Sequence, residues 1–359
     1  MEKARFKWVL RERNRKIAAK TEAFTEQQAR RVRSFHSSFK EYSPTPLIEL
    51  TSLAQHLGIK NLFVKDESYR FGLNAFKVLG GSFAIGSYIA NELGEDIDDL
   101  PYMRLVSDEM RSLLGSKTFI TTTDGNHGRG VAWTANRLKQ QAIVYMPQGS
   151  AAERLANIRA EGAQTEITDM NYDDTVRYTS ELAQKNGWII VQDTAWDGYT
   201  RIPLWIMQGY MTMALEAYEQ LPVKPTHIFL QAGVGSLAGS VQGFFADIYG
   251  SSCPLTFIVE PKGADCLYQT AAANDGSLHS VTGRLETIMA GLACGEPNSI
   301  AWEILGNLSD GFISCPDYTA AQGMRILGNP LAGDTKVSAG ESGAATVGLV
   351  AEAMRDERL

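Results

Sequence analysis

The chain has few cysteines and few histidines, and this argues against two common kinds of site. Its four cysteines show neither a CxxC spacing nor the density of a disulfide scaffold, which favours a reduced, cytoplasmic protein. Its five histidines form no HExxH pair and no other metal-ligand spacing. We therefore expect a functional site without a metal ion.

The chain also lacks an excess of positive charge and a long apolar run. Its formal net charge is −7, so a basic face for nucleic acid is not expected. No apolar run approaches the roughly eighteen residues of a membrane span, and the N-terminal region is too charged for a signal peptide. The basic stretch "KARFKWVLRERNRK" predicts a solvated helix or arm.

Short apolar, β-rich segments alternate with longer helical patterns along the 359 residues. "KTFITTT" precedes "NHGRGVAWTANRLKQ", "WIIVQDT" precedes "IPLWIMQGYMTMALEAYEQL", and "THIFLQAG" precedes "SLAGSVQGFFADIYG". This alternation predicts an α/β fold with mostly parallel twisted sheets covered by helices on both faces. The length favours two such three-layer domains, at about 150 residues each. Because ligands bind at the carboxyl ends of strands in these folds, the loops there are the candidate sites.

A single lysine, Lys77, stands in the uncharged run "FGLNAFKVLGG". If "AFKVLGGSFAI" begins a helix, Lys77 lies in its first turn, where the helix dipole disfavours an ammonium ion and lowers the pKa of the amine. An amine that is neutral more often is a better nucleophile toward an aldehyde. A lysine whose stem packs while its head reaches water would give the same pattern.

The loop "QAGVGSLAGS", residues 231–240, admits two functional interpretations. Gly233 and Gly235 let backbone amides converge on a single phosphate ahead of a helix N-terminus. Alternatively, Gly233, Gly235 and Gly239 resemble a dinucleotide fingerprint, with Glu260 at the end of the next strand as the ribose-binding acid. A tight turn that binds no ligand is also consistent with this loop.

Two further strand ends lead into polar loops. The loop "TTTDGNHGRG", residues 121–130, exposes backbone amides together with Asn126 and His127. A structural role as a helix N-cap would be enough to explain Asp124 in this loop. "VQDTAWDGYT", residues 191–200, places Asp193 at a strand end and Asp197 in the following loop. Loop carboxylates are usually solvated, so neither acid identifies a site alone.

Taken together, these segments resemble the fold type II family of pyridoxal phosphate enzymes. The resemblance runs in consistent order through "YSPTPLIEL", "FVKDESYRFGLNAFKVLGG", "GNHGRG", "GVGSLAG", "IVEP" and "GESGAA". Within the family, "TTTDGNHGRGVAW", "QDTAWDGYTRIPLWIMQGY" and "MAGLACGEP" are similar to the ammonia-lyases rather than to the dehydratases. The resemblance implies pyridoxal 5'-phosphate as cofactor and a homodimer. It also implies a large cofactor-binding domain of residues 1–85 and 200–359 and a small domain of residues 86–199 with the GNHG turn.

The resemblance assigns roles to individual residues. Lys77 would form the Schiff base with the cofactor, and Asn126 would contact its 3-oxygen. The phosphate would be bound by the glycine turn, which comprises Gly233, Val234, Gly235, Ser236 and Leu237. Lys77, Asp124 and Asp193 would be catalytic. The substrate-binding residues would be Thr123, Asp124, Gly125 and Asp193.

These roles imply α,β-elimination of 2,3-diaminopropionate to pyruvate and two ammonia by way of aminoacrylate. Pyridoxal phosphate is an electron sink that stabilises a carbanion at the substrate Cα. Lys77 would remove the Cα proton of the L enantiomer on one face, and Asp124 that of the D enantiomer on the other. Two nearby carboxylates, Asp124 and Asp193, would attract the extra ammonium group, and their repulsion would raise one pKa toward that of a base.

Some features depart from the family or leave alternatives open. Fold type II chains continue past the "ESGA" helix into a last strand, so we expect that the C-terminal end is truncated and name no residue at the pyridine nitrogen. Cys266 and Cys294 could approach each other, although free thiols are expected in a reducing cytoplasm. A serine or threonine dehydratase, an NAD-dependent oxidoreductase and a non-catalytic cofactor-binding protein remain alternatives.

Overall fold

A computed structural model describes residues 6–12, 21–123 and 125–355, which form strands and helices in alternation. The strands are β1 (Lys7–Leu10), β2 (Leu47–Glu49), β3 (Phe63–Lys65), β4 (Thr118–Thr122), β5 (Gln141–Met146), β6 (Gln164–Ile167), β7 (Ile189–Ile190), β8 (His227–Gln231), β9 (Leu255–Pro261) and β10 (Gly311–Cys315). The helices are α1 (Glu26–Ser37), α2 (Thr51–Leu57), α3 (Lys77–Leu93), α4 (Tyr102–Leu105), α5 (Asp108–Leu114), α6 (Asn126–Arg137), α7 (Ala152–Ala160), α8 (Tyr172–Asn186), α9 (Arg201–Gln220), α10 (Ser236–Tyr249), α11 (Cys266–Ala273), α12 (Ser299–Leu308), α13 (Asp317–Gly328) and α14 (Glu341–Ala353).

Two sheets carry most of the strands, and their order brings the candidate loops to strand ends. One sheet has the order β1-β10-β9-β8, in which β8, β9 and β10 are parallel and β1 is antiparallel. The other has the order β6-β5-β4-β7 and is parallel throughout. Strands β2 and β3 form an antiparallel pair. The predicted α/β class with mostly parallel sheets is confirmed.

The central strands β4 and β9 are buried along nearly their whole length, as expected where helices cover both faces of a parallel sheet. In β4, the residues from Phe119 to Thr122 are all buried. In β9, only Leu255 is exposed and Pro261 ends the strand in the core. Continuous burial therefore leaves the loops at the strand ends as the places where polar side chains can gather.

The basic N-terminal stretch does not form the solvated helix that its charge predicts over the part described here. Lys7–Leu10 form β1, which pairs with Gly311–Ser314 at the edge of the first sheet. Trp8 and Leu10 remain exposed on this edge strand. Pairing with β10 satisfies the backbone hydrogen-bonding groups on one side of β1, and its other side is the edge of the sheet.

A buried ionic cluster anchors the "SPTP" segment to α9. The Arg70 guanidinium is fully buried and donates to Glu216 Oε2 at 2.7 Å and to Glu67 Oε2 at 2.8 Å. Lys65 Nζ lies 2.8 Å from the same Glu216 oxygen, and the Thr45 amide donates to it. Burial opposes the charge of Glu216, but Arg70 and Lys65 outweigh it and lower its pKa to about 2. The cluster fixes the chain that leads into α3.

Over the described ranges, no helix combines the length and the apolar character that crossing a membrane requires.

Candidate active site

Lys77 is the first residue of α3, as the sequence predicts. The glycines around it allow three helices to meet at this turn. A Cβ on Gly80 would lie 2.6 Å from Tyr210 Cε1, and one on Gly209 would lie 2.4 Å from the Leu79 carbonyl oxygen. A Cβ on Gly130 of the GNHGRG segment would lie 2.8 Å from Val78 Cα. Close packing of α6 and α9 on α3 therefore explains the Gly-Gly pair and fixes the backbone of Lys77.

Asp193 is the carboxylate that the structure places beside Lys77. Lys77 Nζ lies 2.7 Å from Asp193 Oδ2, and the side chain of Lys77 is 21% exposed whereas that of Asp193 is 5% exposed. Burial alone would raise the pKa of Asp193, but the charges of Lys77 and His127 outweigh it and lower this pKa to about 2. The pKa of Asp193 is therefore set by burial and by its cationic neighbours, whereas its repulsion with Asp124 concerns a residue outside the described ranges.

Gln192 turns the chain so that Asp193 reaches Lys77. The segment "WIIVQDT" predicts a longer strand, but β7 contains only Ile189 and Ile190. Past that point, Gln192 Oε1 accepts a hydrogen bond from the Thr122 amide at 3.0 Å. The Gln192 side chain thus takes the place of the backbone carbonyl that would accept from Thr122 in a longer strand. The main chain can therefore leave the sheet after Ile190. By contrast, Asp197 lies further along the loop and is exposed.

The glycine turn connects β8 to α10, and Ser236 begins that helix. Gly235 has φ +101°, a conformation that favours glycine, and a Cβ there would lie 3.2 Å from Ala301 Cβ. Ser236 Oγ donates to the Asp193 carbonyl oxygen. The glycine turn, the buried Asp193 and Lys77 therefore lie together at one site.

The GNHG turn lies at the carboxyl end of β4. Thr123 is buried, and its hydroxyl accepts a hydrogen bond from the Gly125 amide at 2.9 Å. Asn126 begins α6 and is exposed. His127 is buried, and its Nε2 lies 2.7 Å from the Val191 carbonyl oxygen. Asp124, predicted to be catalytic, lies outside the described residues.

Three residues at this site were missed by the sequence analysis. The Tyr172 hydroxyl lies 3.5 Å from Asp193 Oδ1 and accepts a hydrogen bond from Gln192 Nε2 at 2.8 Å. The side-chain amide of Asn298 donates to the Asp193 carbonyl oxygen at 3.3 Å. Tyr210 is buried and packs against Gly80. Asn298 precedes an apolar helical pattern and so carries a helix N-cap signal, whereas the two tyrosines carry no local signal.

Glu260 does not have the environment that the dinucleotide interpretation requires. Its carboxylate is fully buried and accepts hydrogen bonds from the amides of Leu267 and Tyr268 at 2.8 and 2.7 Å. These amides begin α11, so Glu260 caps a helix and is not available to a ribose. Burial raises its pKa well above the usual range.

Cys266 and Cys294 both lie close to Gly233. Cys266 Sγ lies 3.8 Å from the Gly233 carbonyl oxygen, and a Cβ on Gly233 would lie 3.3 Å from Cys294 Sγ. The two cysteines are not joined by a disulfide. Burial raises the pKa of Cys266 well above its ordinary value, so this thiol is protonated at neutral pH.

The site has the features that a phosphorylated, polar cofactor requires. Backbone amides at the start of α10, next to a glycine turn, suit a phosphate group. Several buried polar atoms of the described residues have no hydrogen-bond partner, and three of them lie near this site: His127 Nδ1, Thr194 Oγ1 and Tyr210 Oη. His127 and Tyr210 both lie close enough to Lys77 and Asp193 to feel their charges. Their donors and acceptors fit a polar molecule next to the Lys77 amine.

No group of three or more metal-ligating side chains occurs in the part of the chain covered by the structure.

Residues 39–359 match the model of the pyridoxal-phosphate dependent enzyme family, and the chain belongs to this family. The chain is 53% identical over 330 residues to diaminopropionate ammonia-lyase of Salmonella typhimurium, covering 90% of this chain and 82% of that protein. It is similar to the crystal structure of the holo, selenomethionine-incorporated diaminopropionate ammonia lyase of Escherichia coli. That match has a TM-score of 0.91 at 48% identity and covers 99% of this chain and 88% of that one.

A second Escherichia coli structure of the same enzyme is in complex with an aminoacrylate-PLP azomethine reaction intermediate. Its TM-score is 0.87 at 48% identity, and the match covers 98% of this chain and 87% of that one. The family, the similarity to ammonia-lyases and the cofactor predicted from the sequence are thus confirmed.

Proposed function

We propose that this chain is a pyridoxal phosphate-dependent ammonia-lyase that converts D- and L-2,3-diaminopropionate to pyruvate and two ammonia. The similarity to diaminopropionate ammonia-lyases over nearly the whole chain supports this assignment. The observation that carries it is the buried Asp193 carboxylate, 2.7 Å from the Lys77 amine and joined to the glycine turn through Ser236.

When bound, pyridoxal phosphate supplies an electron sink for negative charge that develops at the substrate Cα. The amides of the glycine turn, Gly233 to Leu237, would hold its phosphate, Lys77 would bond to its aldehyde carbon, and Asn126 would contact its 3-oxygen. The helix N-terminus at Ser236 adds a favourable dipole for the phosphate. Thr123 and Gly125 border the same site and would contact the substrate carboxylate.

Asp193 suits a substrate that carries a second ammonium group. Its buried carboxylate pairs with the Lys77 ammonium in this structure, and it would pair in the same way with the second ammonium group of the substrate. The amine of Lys77 accepts the Cα proton of the L enantiomer. Asp124 would accept that of the D enantiomer. A hydroxyl leaving group gives no electrostatic reason for a buried charge at Asp193, which favours diamino over hydroxyamino substrates.

An enantiomer-resolved assay tests the roles of Asp124 and Lys77. In Asp124→Asn, we expect activity on D-diaminopropionate to fall by about 100-fold or more, because a general base contributes on this order. Activity on the L enantiomer should stay within about threefold of the parent protein. Pyruvate release is the measurement. Loss of L activity with retention of D activity would reverse the assignment of the two faces.

Two further measurements separate this function from the alternatives. Borohydride reduction of the holoprotein followed by peptide mapping should find the cofactor attached to Lys77, which a dehydrogenase cannot give. Pyruvate release should be faster from diaminopropionate than from serine at equal concentration. The reverse order would favour a serine or threonine dehydratase.

We also propose the division into a large domain, residues 1–85 and 200–359, and a small domain, residues 86–199. The parallel sheet of β4 to β7 lies within the second range and supports it. A cytoplasmic location is proposed as well, since cysteines that form no disulfide suit a reducing compartment, and the resemblance to the family supports a homodimer. Light scattering at several protein concentrations and cell fractionation test these two statements.

A further inference from the structure

Asn298 lies at the junction of the glycine turn, α12 and Asp193, and its side chain is fully buried. Its Oδ1 accepts hydrogen bonds from the amides of Ile300 and Ala301 at 2.9 and 3.2 Å and so caps α12. A helix cap needs only an acceptor, and Ser, Thr, Asp and Asn provide one about equally well. The helix α5, for example, uses Ser107 in this way. Capping therefore does not explain why this position carries an amide.

The donor half of the same amide points toward the active site. Asn298 Nδ2 lies 2.8 Å from Ser236 Oγ and 3.3 Å from the Asp193 carbonyl oxygen. Ser236 Oγ donates to that carbonyl as well. The backbone amide of Asn298 donates to the Val234 carbonyl oxygen at 2.8 Å. One residue thus contacts the turn at two points and the backbone of the catalytic acid at a third.

We propose that Asn298 is a positioning residue that fixes Asp193 relative to the glycine turn. Its amide is the donor that holds the Asp193 carbonyl and the Ser236 hydroxyl together, while its oxygen fixes the amide itself on the rigid start of α12. Without that donor, the Asp193 backbone keeps only the Ser236 hydroxyl and loses its fixed distance from Lys77. A misplacement of about 1 Å in an active site costs on the order of 100-fold in rate.

The test uses Asn298→Ser, which keeps a capping oxygen but is too short to donate to Asp193. The first measurement is made on the cofactor-free protein and does not depend on catalysis. A water-soluble acylating reagent modifies neutral amines, and mass spectrometry of peptides reports the rate at Lys77. Because the Asp193 carboxylate favours the charged amine, displacing it should raise this rate about tenfold. Asp193→Asn serves as the reference for complete loss of the ion pair.

The second measurement is kcat of the holoprotein for diaminopropionate, which should fall about 10- to 100-fold in Asn298→Ser. Ser107→Ala removes a cap remote from the site and should change neither the Lys77 rate nor kcat. An Asn298→Ser variant that labels at Lys77 at the parental rate would overturn the proposal. An unchanged kcat in this variant would overturn it as well.

The kinetic part of the test depends on the proposed function, whereas the labelling part does not. If the parent protein releases no pyruvate from diaminopropionate but labelling at Lys77 rises in Asn298→Ser, the proposed function fails and the positioning role stands. Asn298→Thr gives a second check, because it keeps a cap oxygen, is also too short to donate to Asp193 and adds no charge. It should label at Lys77 about as fast as Asn298→Ser, and labelling at the parental rate would contradict the proposal.

Discussion

Asp193 and Asp197 stand four positions apart in one loop, yet their surroundings differ completely. Asp193 is buried and paired with Lys77, whereas Asp197 is exposed. The sequence places Asp193 at a strand end and Asp197 in the following loop but gives no information on burial, since the difference arises where the chain turns at Gln192. Only the resemblance to a family singled out Asp193 in advance.

This contrast supplies a matched pair of variants. Asp193→Asn removes the charge beside Lys77 with little change of shape, so we expect kcat/KM for L-diaminopropionate to fall by about 100-fold or more. Asp197→Asn makes the same chemical change in solvent and should stay within about twofold. Steady-state pyruvate release measures kcat/KM for both variants and the parent protein. Equal kcat/KM in the two variants would remove Asp193 from the catalytic residues.

Other residues of the site could not be predicted because their partners are remote in sequence. Asn298 reaches Asp193 across 105 positions, and Arg70 reaches Glu216 across 146. An asparagine before a helical pattern predicts a cap, and the structure adds a second role. A buried arginine leaves no local pattern at all.

At the scale of the elements, the contact between α6 and α3 brings the GNHG segment against the Lys77 turn. The contact depends on Gly130, where a Cβ would meet backbone atoms only: Val78 Cα at 2.8 Å, Val78 N at 3.0 Å and Lys77 C at 3.3 Å. Backbone cannot rotate away as a side chain can. The glycine pattern "GNHGRG" could be read as a flexible loop, but Gly130 lies inside a helix and serves packing.

We therefore expect Gly130→Ala to be destabilising even though alanine is the better helix former. Overpacking against a rigid backbone costs about 1–3 kcal/mol, and the Lys77 turn should shift with a loss of activity. The matched change is Gly343→Ala in α14, where a Cβ has nothing within 4 Å. It should stabilise the protein by up to about 1 kcal/mol. Denaturant unfolding of both variants measures the difference, and a stabilised Gly130→Ala would show that the helices can separate without cost.

At the scale of the whole molecule, the order of strands and helices could be predicted because alternating apolar patterns are local. The pairing of β1 with β10 could not, since it joins opposite ends of the chain. The side-chain hydrogen bonds that join helices inside the core could not be predicted either, because their partners are remote in sequence. His36 on α1 is fully buried, with Nδ1 2.7 Å from Thr212 Oγ1 on α9 and Nε2 3.0 Å from the Leu79 carbonyl oxygen on α3.

This buried histidine makes the stability of the fold dependent on pH. Burial and the charge of Arg70 lower the pKa of His36 to about 3, although Glu216 acts in the opposite direction. The unfolded chain binds a proton there below about pH 6.5, whereas the folded chain does so only near pH 3. The free energy of unfolding therefore falls as pH decreases, by about 1.4 kcal/mol per unit, or about 2 kcal/mol between pH 7 and pH 5.

Other groups contribute as well, among them His127, whose pKa burial also lowers, so a variant isolates the contribution of His36. Asp193 and Glu216 lose their stabilising charge only below about pH 4.5, while burial raises the pKa of Asp173 to about 6 and partly offsets the histidine. In His36→Asn, the fall in unfolding free energy between pH 7 and pH 5 should be smaller by about 2 kcal/mol. His56→Asn, at an exposed position, should keep the parental difference. Urea unfolding at the two pH values measures all three proteins, and an unchanged pH dependence in His36→Asn would show that His36 does not remain neutral in the folded core.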